Sequence, residues 1–306
     1  MAKVFITGAD GFTGRYLSKE LMSDGHEVCG LARKADPSAS RRLLVCDLLD
    51  REALTETLAI EKPDAVVHLA AIAFVGHGDV SEVYQTNVVG TRNLLEALTK
   101  SGCKPRSVLL ASSANVYGNT DREVIDEAVK PEPANDYAIS KLAMEFVARL
   151  WEGKLPITIA RPFNYTGVGQ SSNFLLPKIV SHFRDKAPVL ELGNLHVIRD
   201  FSDVRTVVTA YSRLLMGQFS GRTFNVCSGV GYSLLDIIAI MRGLTVHHPE
   251  IRVNFDYVRA NEVHKLIGSN NELRTAIGTL QPIPLHETLR WMLEHPTDAQ
   301  VLNLFT

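Results

Sequence analysis

An excess of charge of either sign is what this chain most plainly lacks. Its 32 lysines and arginines are balanced by 34 aspartates and glutamates, a formal net charge of −2. No basic stripe or polybasic cluster runs along it, which argues against a nucleic-acid partner or an anionic membrane surface. No apolar run reaches the roughly 18 residues a membrane-spanning helix needs. The opening MAKVFITGADG has a short apolar piece followed by glycines, which is not the pattern of a secretory leader. Cysteine is scarce: Cys29, Cys46, Cys103 and Cys227 form no CxxC pair, and three lie in or beside strand-like runs. Free buried thiols in a reducing compartment fit that usage, so the expectation is a cytoplasmic protein. The ten histidines show no HExxH spacing, and His247-His248 precedes a proline in a loop-like stretch, so no metal site is expected.

What the chain does have is rhythm. Hydrophobic residues make up 45% of its 306 residues, enough for one large domain or two intimate ones. Short apolar runs at 3–8, 27–33, 43–48, 64–71, 107–113 and 157–164 read as strands. Helix-period segments at 15–25, 51–60, 80–102 and 136–153 lie between them. Nearly continuous apolar strands separated by helices predict a doubly wound parallel α/β sheet covered on both faces. After Asn164 the rhythm breaks into a polar, glycine-rich loop and mixed short elements. Residues 1–166 with about 198–228 are therefore assigned to a dinucleotide-binding domain, and about 167–197 with 229–306 to a smaller C-terminal substrate lobe.

The first strand–helix junction reads TGADGFTG, with Gly8, Gly11 and Gly14 spaced GxxGxxG. Glycine allows a sharp turn and a close approach to a pyrophosphate, and the helix N-terminus offers free N–H groups. Tight turns use glycine too, but the placement favours dinucleotide binding. The second strand ends in Arg33 and Lys34, with no acidic residue to accept from a ribose 2′-hydroxyl. A basic tip suits a 2′-phosphate, so the expected cofactor is NADP(H), with NAD(H) as the alternative; the pair also reads as a solvated loop. Asp47, at the end of the third run, is either an adenine contact or a loop cap.

YAISK places Tyr137 and Lys141 four apart, on one helix face. A tyrosine titrates near 10, too high to work well at neutral pH, and a neighbouring ammonium would lower it. Taken alone, the pair is equally an aromatic–lysine contact. Ser113, however, ends a strand 24 residues earlier, at the sheet edge where such folds place ligands. HLAA, 68–71, ends the fourth strand at the same edge. Glycine loop, strand-end serine and YxxxK in this order resemble the extended short-chain dehydrogenase/reductase family over essentially the whole chain. That resemblance implies a Rossmann-type fold in which Ser113 orients a substrate oxygen, Tyr137 transfers a proton, and Lys141 tunes Tyr137 and holds the cofactor. It also implies cofactor contacts from Phe12, Leu48, Leu69, Ala70, Ala71 and Asn87, the last of which is otherwise a plain helix-face residue.

The extended branch of this family usually acts on nucleotide sugars. ARPFNYTGVGQ resembles its diphosphate-contacting segment, giving Asn164. LELGNLHVIRDFSDV resembles the GNL…RDF stretch of GDP-hexose enzymes, giving Asn194, Arg199 and Asp200, and VRANE gives Arg259 and Glu262. Guanidinium groups suit a diphosphate and a carboxylate suits ribose hydroxyls; Lys178 adds positive charge. The related dehydratases carry a glutamate two residues after the strand-end Ser/Thr, some with an aspartate between, where this chain has Ala114 and Asn115. An alanine and an asparagine cannot supply an elimination base, although Asn115 can orient a substrate or cap a turn. The expectation is an NADPH-dependent C4 reductase of a GDP-linked 4-keto-6-deoxyhexose, giving a GDP-6-deoxyhexose such as GDP-rhamnose. A 4-epimerase or 4,6-dehydratase is the alternative, and a non-catalytic cofactor sensor a third reading. Family members commonly dimerise through helices matching 80–101 and 137–152, so a homodimer is expected, with Leu94, Leu95, Leu98 and Phe146 either in that bundle or facing the sheet.

Overall fold

Seven short apolar segments pair into one parallel sheet in the computed structural model, which describes residues 1–34, 42–73, 78–217, 219–257 and 263–295. The first six strands are β1 (Lys3–Thr7), β2 (Glu27–Ala32), β3 (Arg42–Val45), β4 (Ala65–His68), β5 (Ser107–Ala111) and β6 (Ile157–Pro162). After β7 (Asn164–Thr166), β8 (Val189–Leu192) and β9 (Ile198–Asp203), the chain returns as β10 (Thr223–Val226) and closes the order β10-β6-β5-β4-β1-β2-β3. Successive residues point to opposite faces, so β1 sends Val4 and Ile6 into one core and Phe5 into the other. The first core is roofed by α1 (Phe12–Ser23) and a helix that follows β9. The second is roofed by α2 (Arg51–Glu61) and by two helices flanking β5, through Leu54, Leu58, Leu94, Leu98 and Met144. Two covered faces explain why the strands read as apolar runs and do not alternate.

The predicted helix over 80–102 is one helical run that widens in its middle. It forms as α3 (Val80–Tyr84), a π turn over 85–90 and α4 (Thr91–Lys100). Leu94, Leu95 and Leu98 are fully buried against the sheet, whereas Phe146 on α5 (Asp136–Arg149) is 56% exposed. The third and fourth strands are also shorter than their apolar runs, so Asp47 and Leu48, and Leu69 to Ala71, lie in the loops beyond them.

The rest of the chain builds α6 (Leu175–Arg184), α7 (Val204–Met216), α8 (Leu234–Thr245), α9 (Asn271–Ile277) and α10 (Leu285–Glu294). β9 pairs with β7, with β11 (Gly231–Ser233) and with β13 (Lys265–Leu266), while β8 pairs with β12 (Glu250–Val253). A separate core gathers Ile179 and Phe183 of α6, Ile237 and Met241 of α8, and Leu289 of α10. Helix α7 crosses back to complete the first core of the large sheet.

Behind the carboxyl ends of β5 and β6 sits a buried polar cluster. Arg161 of β6 forks onto Glu145 of α5, Nε to Oε1 at 2.9 Å and Nη2 to Oε2 at 2.6 Å. Ser112 donates to the same carboxylate at 2.5 Å. Arg161 Nη1 donates to the Tyr117 hydroxyl at 2.9 Å, and that hydroxyl donates to Asn225 of β10 at 2.7 Å. Breaking one side of a buried pair leaves the other charge uncompensated, at a cost of about 3–5 kcal/mol. Arg161→Met should therefore lower the unfolding free energy by about that amount in urea titrations. A loss below about 1 kcal/mol would show that the pair contributes no more than a surface bridge.

Candidate active site

In a parallel sheet all strands end at one edge, so Gly8 after β1, Leu69–Ala71 after β4 and Ser112–Ser113 after β5 share it. Gly8 has φ +69°, and a Cβ there would lie 2.8 Å from the backbone of Ala70. A Cβ on Gly14 would lie 2.2 Å from the Gly8 carbonyl oxygen, so α1 starts directly on the turn. Gly11 is the N-cap of α1; no side chain caps it and its first turn holds no acidic residue. The helix thus presents backbone donors and a positive dipole end to the edge, which fits a pyrophosphate. Phe12 stacks on Tyr165 at 6.2 Å between ring centroids, and Thr13 hydrogen-bonds the Tyr165 hydroxyl at 2.8 Å. Thr13 and Tyr165 were not read from sequence; the only signal was the tyrosine following the ARPFN segment.

Arg33 and Lys34 are exposed just beyond β2, and Arg33 pairs with Glu82 at 3.5 Å on the surface. Asp47 closes its own turn by accepting from the Leu49 N–H at 2.9 Å, the loop-cap arrangement. Leu48 is buried in the core beneath α2 and α4. Asn87 does not lie on a regular helix face. It is buried in the π turn, where it accepts from Ile72 N–H at 2.9 Å and donates to the Ile72 carbonyl at 3.2 Å and to Ser140 Oγ at 3.0 Å. It therefore clamps the loop after β4 to α5.

Ser113 caps the short 3₁₀ turn Ala114–Tyr117. Its hydroxyl oxygen accepts from both the backbone N–H and the side-chain amide of Asn115, each at 3.2 Å, and it lies close enough to the Tyr137 phenol to act on it. Tyr137 sits in the first turn of α5, which Asn135 caps by accepting from Ala138 N–H at 2.9 Å. Burial pushes the Tyr137 phenol up to about 12, against a smaller lowering by the Ser113 hydroxyl. Lys141 lies one turn on, buried, and burial pushes its ammonium down to about 8 while the Glu145 carboxylate opposes the fall. In place of the expected lowering of the tyrosine by the lysine, burial dominates: it raises the phenol, Tyr165 raises it further, and Ser113 lowers it. Ala114 is 1% exposed and packs with Val116, Tyr117 and Phe163.

The remaining predicted residues are more dispersed. Asn164 opens β7, with its side-chain amide 3.5 Å from the Asp200 carbonyl. Arg199 on β9 donates to the carbonyls of Ile198 and His264, and Lys178 on α6 lies over the Tyr257 ring at 4.1 Å. Asn194 closes its own turn by accepting from His196 N–H at 3.0 Å. The Asp200 carboxylate is fully buried and accepts from Ser228 N–H and Oγ, Gly229 N–H and Gly268 N–H. Such a carboxylate staples three segments, and four donors oppose the desolvation that still holds its pKa above the ordinary range. Arg259 and Glu262 lie outside the described residues. Among the described residues no group of three or more His, Cys, Asp or Glu is arranged to hold a metal.

A doubly wound sheet with this glycine turn and a Ser–Tyr–Lys constellation at its carboxyl edge defines a dinucleotide-dependent oxidoreductase scaffold. The model of the NAD dependent epimerase/dehydratase family matches residues 4–227, and the chain belongs to that family of NAD(P)-dependent enzymes. It is 34% identical to a GDP-6-deoxy-D-talose 4-dehydrogenase of Aggregatibacter actinomycetemcomitans, covering 90% of this chain and 91% of that one. It is also 34% identical to a GDP-6-deoxy-D-mannose reductase of Pseudomonas aeruginosa, covering 95% and 96%. A Burkholderia cenocepacia crystal structure described as a candidate epimerase is 51% identical with a TM-score of 0.89, covering 95% and 97%. The Pseudomonas aeruginosa RMD complexed with NADPH is 32% identical with a TM-score of 0.82, covering 96% and 98%.

The displaced lysine makes a signed prediction. Unfolded, Lys141 keeps its proton to 10.5; folded, it releases it near 8. Between those values the unfolded chain binds the extra proton, so this residue's contribution to stability rises with pH there and is flat below. From about pH 8 to about pH 10 the wild type should gain about 2 kcal/mol relative to Lys141→Met, read from urea unfolding at each pH. An unchanged difference would mean an undisplaced lysine.

Proposed function

We propose that the chain is an NADPH-dependent reductase of a GDP-linked 4-keto-6-deoxyhexose, acting at C4 to give a GDP-6-deoxyhexose such as GDP-rhamnose. The observation that carries this reading is the placing of Ser113 by the Tyr137 phenol with a buried Lys141 one turn on, with Ala114 in the apolar core and an amide at Asn115. The nicotinamide, when bound, supplies the hydride. Ser113 holds the ketone oxygen, and Tyr137 delivers the proton to it. A phenol held above its ordinary value is fully protonated at neutral pH, the state a reduction requires. Lys141, kept charged by Glu145, stabilises the phenolate left behind and holds the nicotinamide ribose.

Residues 1–166 with about 198–228 are taken to bind the dinucleotide. Gly8, Gly11, Phe12 and Gly14 form the phosphate turn, and Asp47, Leu48, Leu69, Ala70, Ala71 and Asn87 complete the pocket. Arg33 is proposed to take the 2′-phosphate, which offers its guanidinium a stronger fork than the exposed pair with Glu82. The lobe of about 167–197 and 229–306, with Asn115, Asn164, Lys178, Asn194, Arg199, Arg259 and Glu262, is taken to hold the nucleotide sugar. The 34% identity to a GDP-6-deoxy-D-mannose reductase supports the substrate class. A 4-epimerase also needs no elimination base, and the 51% identity to the Burkholderia candidate epimerase keeps that as the second reading.

Two incubations separate these. GDP-4-keto-6-deoxy-mannose should oxidise NADPH stoichiometrically, faster than NADH, and yield a 6-deoxyhexose; Tyr137→Phe should cut that rate at least about 100-fold while still binding cofactor. GDP-mannose with catalytic NADP⁺ should give no 4-keto-6-deoxy product. Its appearance would overturn the reductase reading, and interconversion of C4 epimers without net NADPH use would favour the epimerase.

The same reading makes the enzyme a cytoplasmic homodimer. No helix among the described residues is long and apolar enough to cross a membrane. Phe146 on α5 and Leu150 at its C-cap stand 56% and 73% exposed, and Val89 of the π turn is exposed too, apolar surface that a second copy would cover. Sedimentation at micromolar concentration should give a dimer that Phe146→Glu with Leu150→Glu dissociates; a monomeric wild type would exclude it.

A further inference from the structure

We infer that His68 is a positioning residue, an imidazole hydrogen-bonded at both nitrogens that ties the glycine-turn strand to the helix carrying Tyr137 and Lys141. It ends β4 and is buried. Its Nδ1 lies 2.7 Å from Thr7 Oγ1, the last residue before Gly8, and its Nε2 lies 2.8 Å from Thr91 Oγ1, the first residue of α4.

The bond directions follow from counting protons. Thr91 spends its single hydroxyl proton on the Asn87 carbonyl at 2.7 Å, so its oxygen accepts from His68 and Nε2 carries a hydrogen. Thr7 Oγ1 accepts from the Ala70 N–H at 3.3 Å, and its own proton is then free to go to Nδ1. Each donor is used once: Ala70 N–H to Thr7, Thr7 to Nδ1, Nε2–H to Thr91, and Thr91 to Asn87. The Asn87 side chain continues the path to Ser140 Oγ at 3.0 Å, and Ser140 donates to the Tyr137 carbonyl at 2.7 Å. An added proton on Nδ1 would face Thr7 and displace its donation. Burial, with the Lys141 charge second, holds the ring's proton affinity far down, to about 3. The path joins three parts of the cleft whose relative placement decides where a bound dinucleotide meets Tyr137: the turn at Gly8, the loop at Leu69–Ala71, and α5.

The inference rests on dinucleotide binding and not on the identity of the sugar, so its test uses the cofactor alone. The first readout is ¹⁵N NMR of the histidine-labelled full chain at about pH 6, where an ordinary histidine is largely charged. His68 should show the neutral Nε2–H form; a charged ring or the Nδ1–H form overturns the inference. The second is NADPH binding followed by nucleotide fluorescence, or NADH binding should the wild type take only that cofactor. His68→Phe should weaken binding about tenfold, while His68→Gln, whose amide sets an acceptor and a donor side by side, should recover most of it. Thr91→Val, which removes one link and keeps the imidazole, should weaken binding about threefold and remains informative if His68→Phe does not fold. Binding by Thr91→Val and by any folded His68→Phe within twofold of the wild type, or equal loss in the Gln and Phe variants, overturns it.

Discussion

The forked ion pair between Glu145 and Arg161 is the constraint on which the site depends. Its two partners come from α5 and β6, and its remaining hydrogen bonds reach Ser112 at the end of β5 and, through Tyr117, Asn225 on β10. A pair so deeply desolvated adds little stability over apolar packing of the same volume. Its benefit is geometric, because a fully satisfied polar cluster accepts one arrangement and penalises all others. It fixes the helix that carries Tyr137 and Lys141 against the strand end that carries Ser113. It also has an electrical effect: Glu145 lies one turn after Lys141, and its charge opposes the burial that would otherwise neutralise the lysine.

The cleft works on two opposed displacements. Burial raises the Tyr137 phenol to about 12 and lowers the Lys141 ammonium to about 8. Both effects disfavour charge, and at neutral pH they leave a proton on each group. A tyrosine that keeps its proton beside a cation is a competent acid and a poor resting base, which matches reduction of a ketone better than oxidation of an alcohol.

Much of this was legible in the sequence. Strand runs, the glycine turn, Ser113 and the Tyr137–Lys141 spacing are local signals, and periodicity reads them. The π turn was not legible, since one inserted residue leaves an amphipathic pattern almost unchanged while moving Asn87 into the interior. Nor was the role of Asp200, Glu145 or Arg161. A buried charged residue looks like a surface one until its partners are known, and these partners lie 16 to 68 positions away. Leu94, Leu95 and Leu98 show the converse limit: a helical apolar stripe can face its own sheet or another subunit, and only the packing decides.

The stretch after Ser113 shows how local chemistry separates activities that share a scaffold. Position 114 faces the apolar cluster of Val116, Tyr117 and Phe163, so a carboxylate there would be desolvated and driven to its neutral form. At position 115 the amide is occupied: it and its own backbone N–H both donate to the Ser113 oxygen. A hydroxyl with two lone pairs already taken has only its proton to offer, so Ser113 acts as a donor. That proton is available to the cleft, where the Tyr137 phenol also lies. A carboxylate at 115 would instead accept the serine proton and reverse the polarity of the pair. Asn115 therefore does more than omit a base: under the proposed reaction it leaves the Ser113 proton to hold the carbonyl oxygen that Tyr137 protonates.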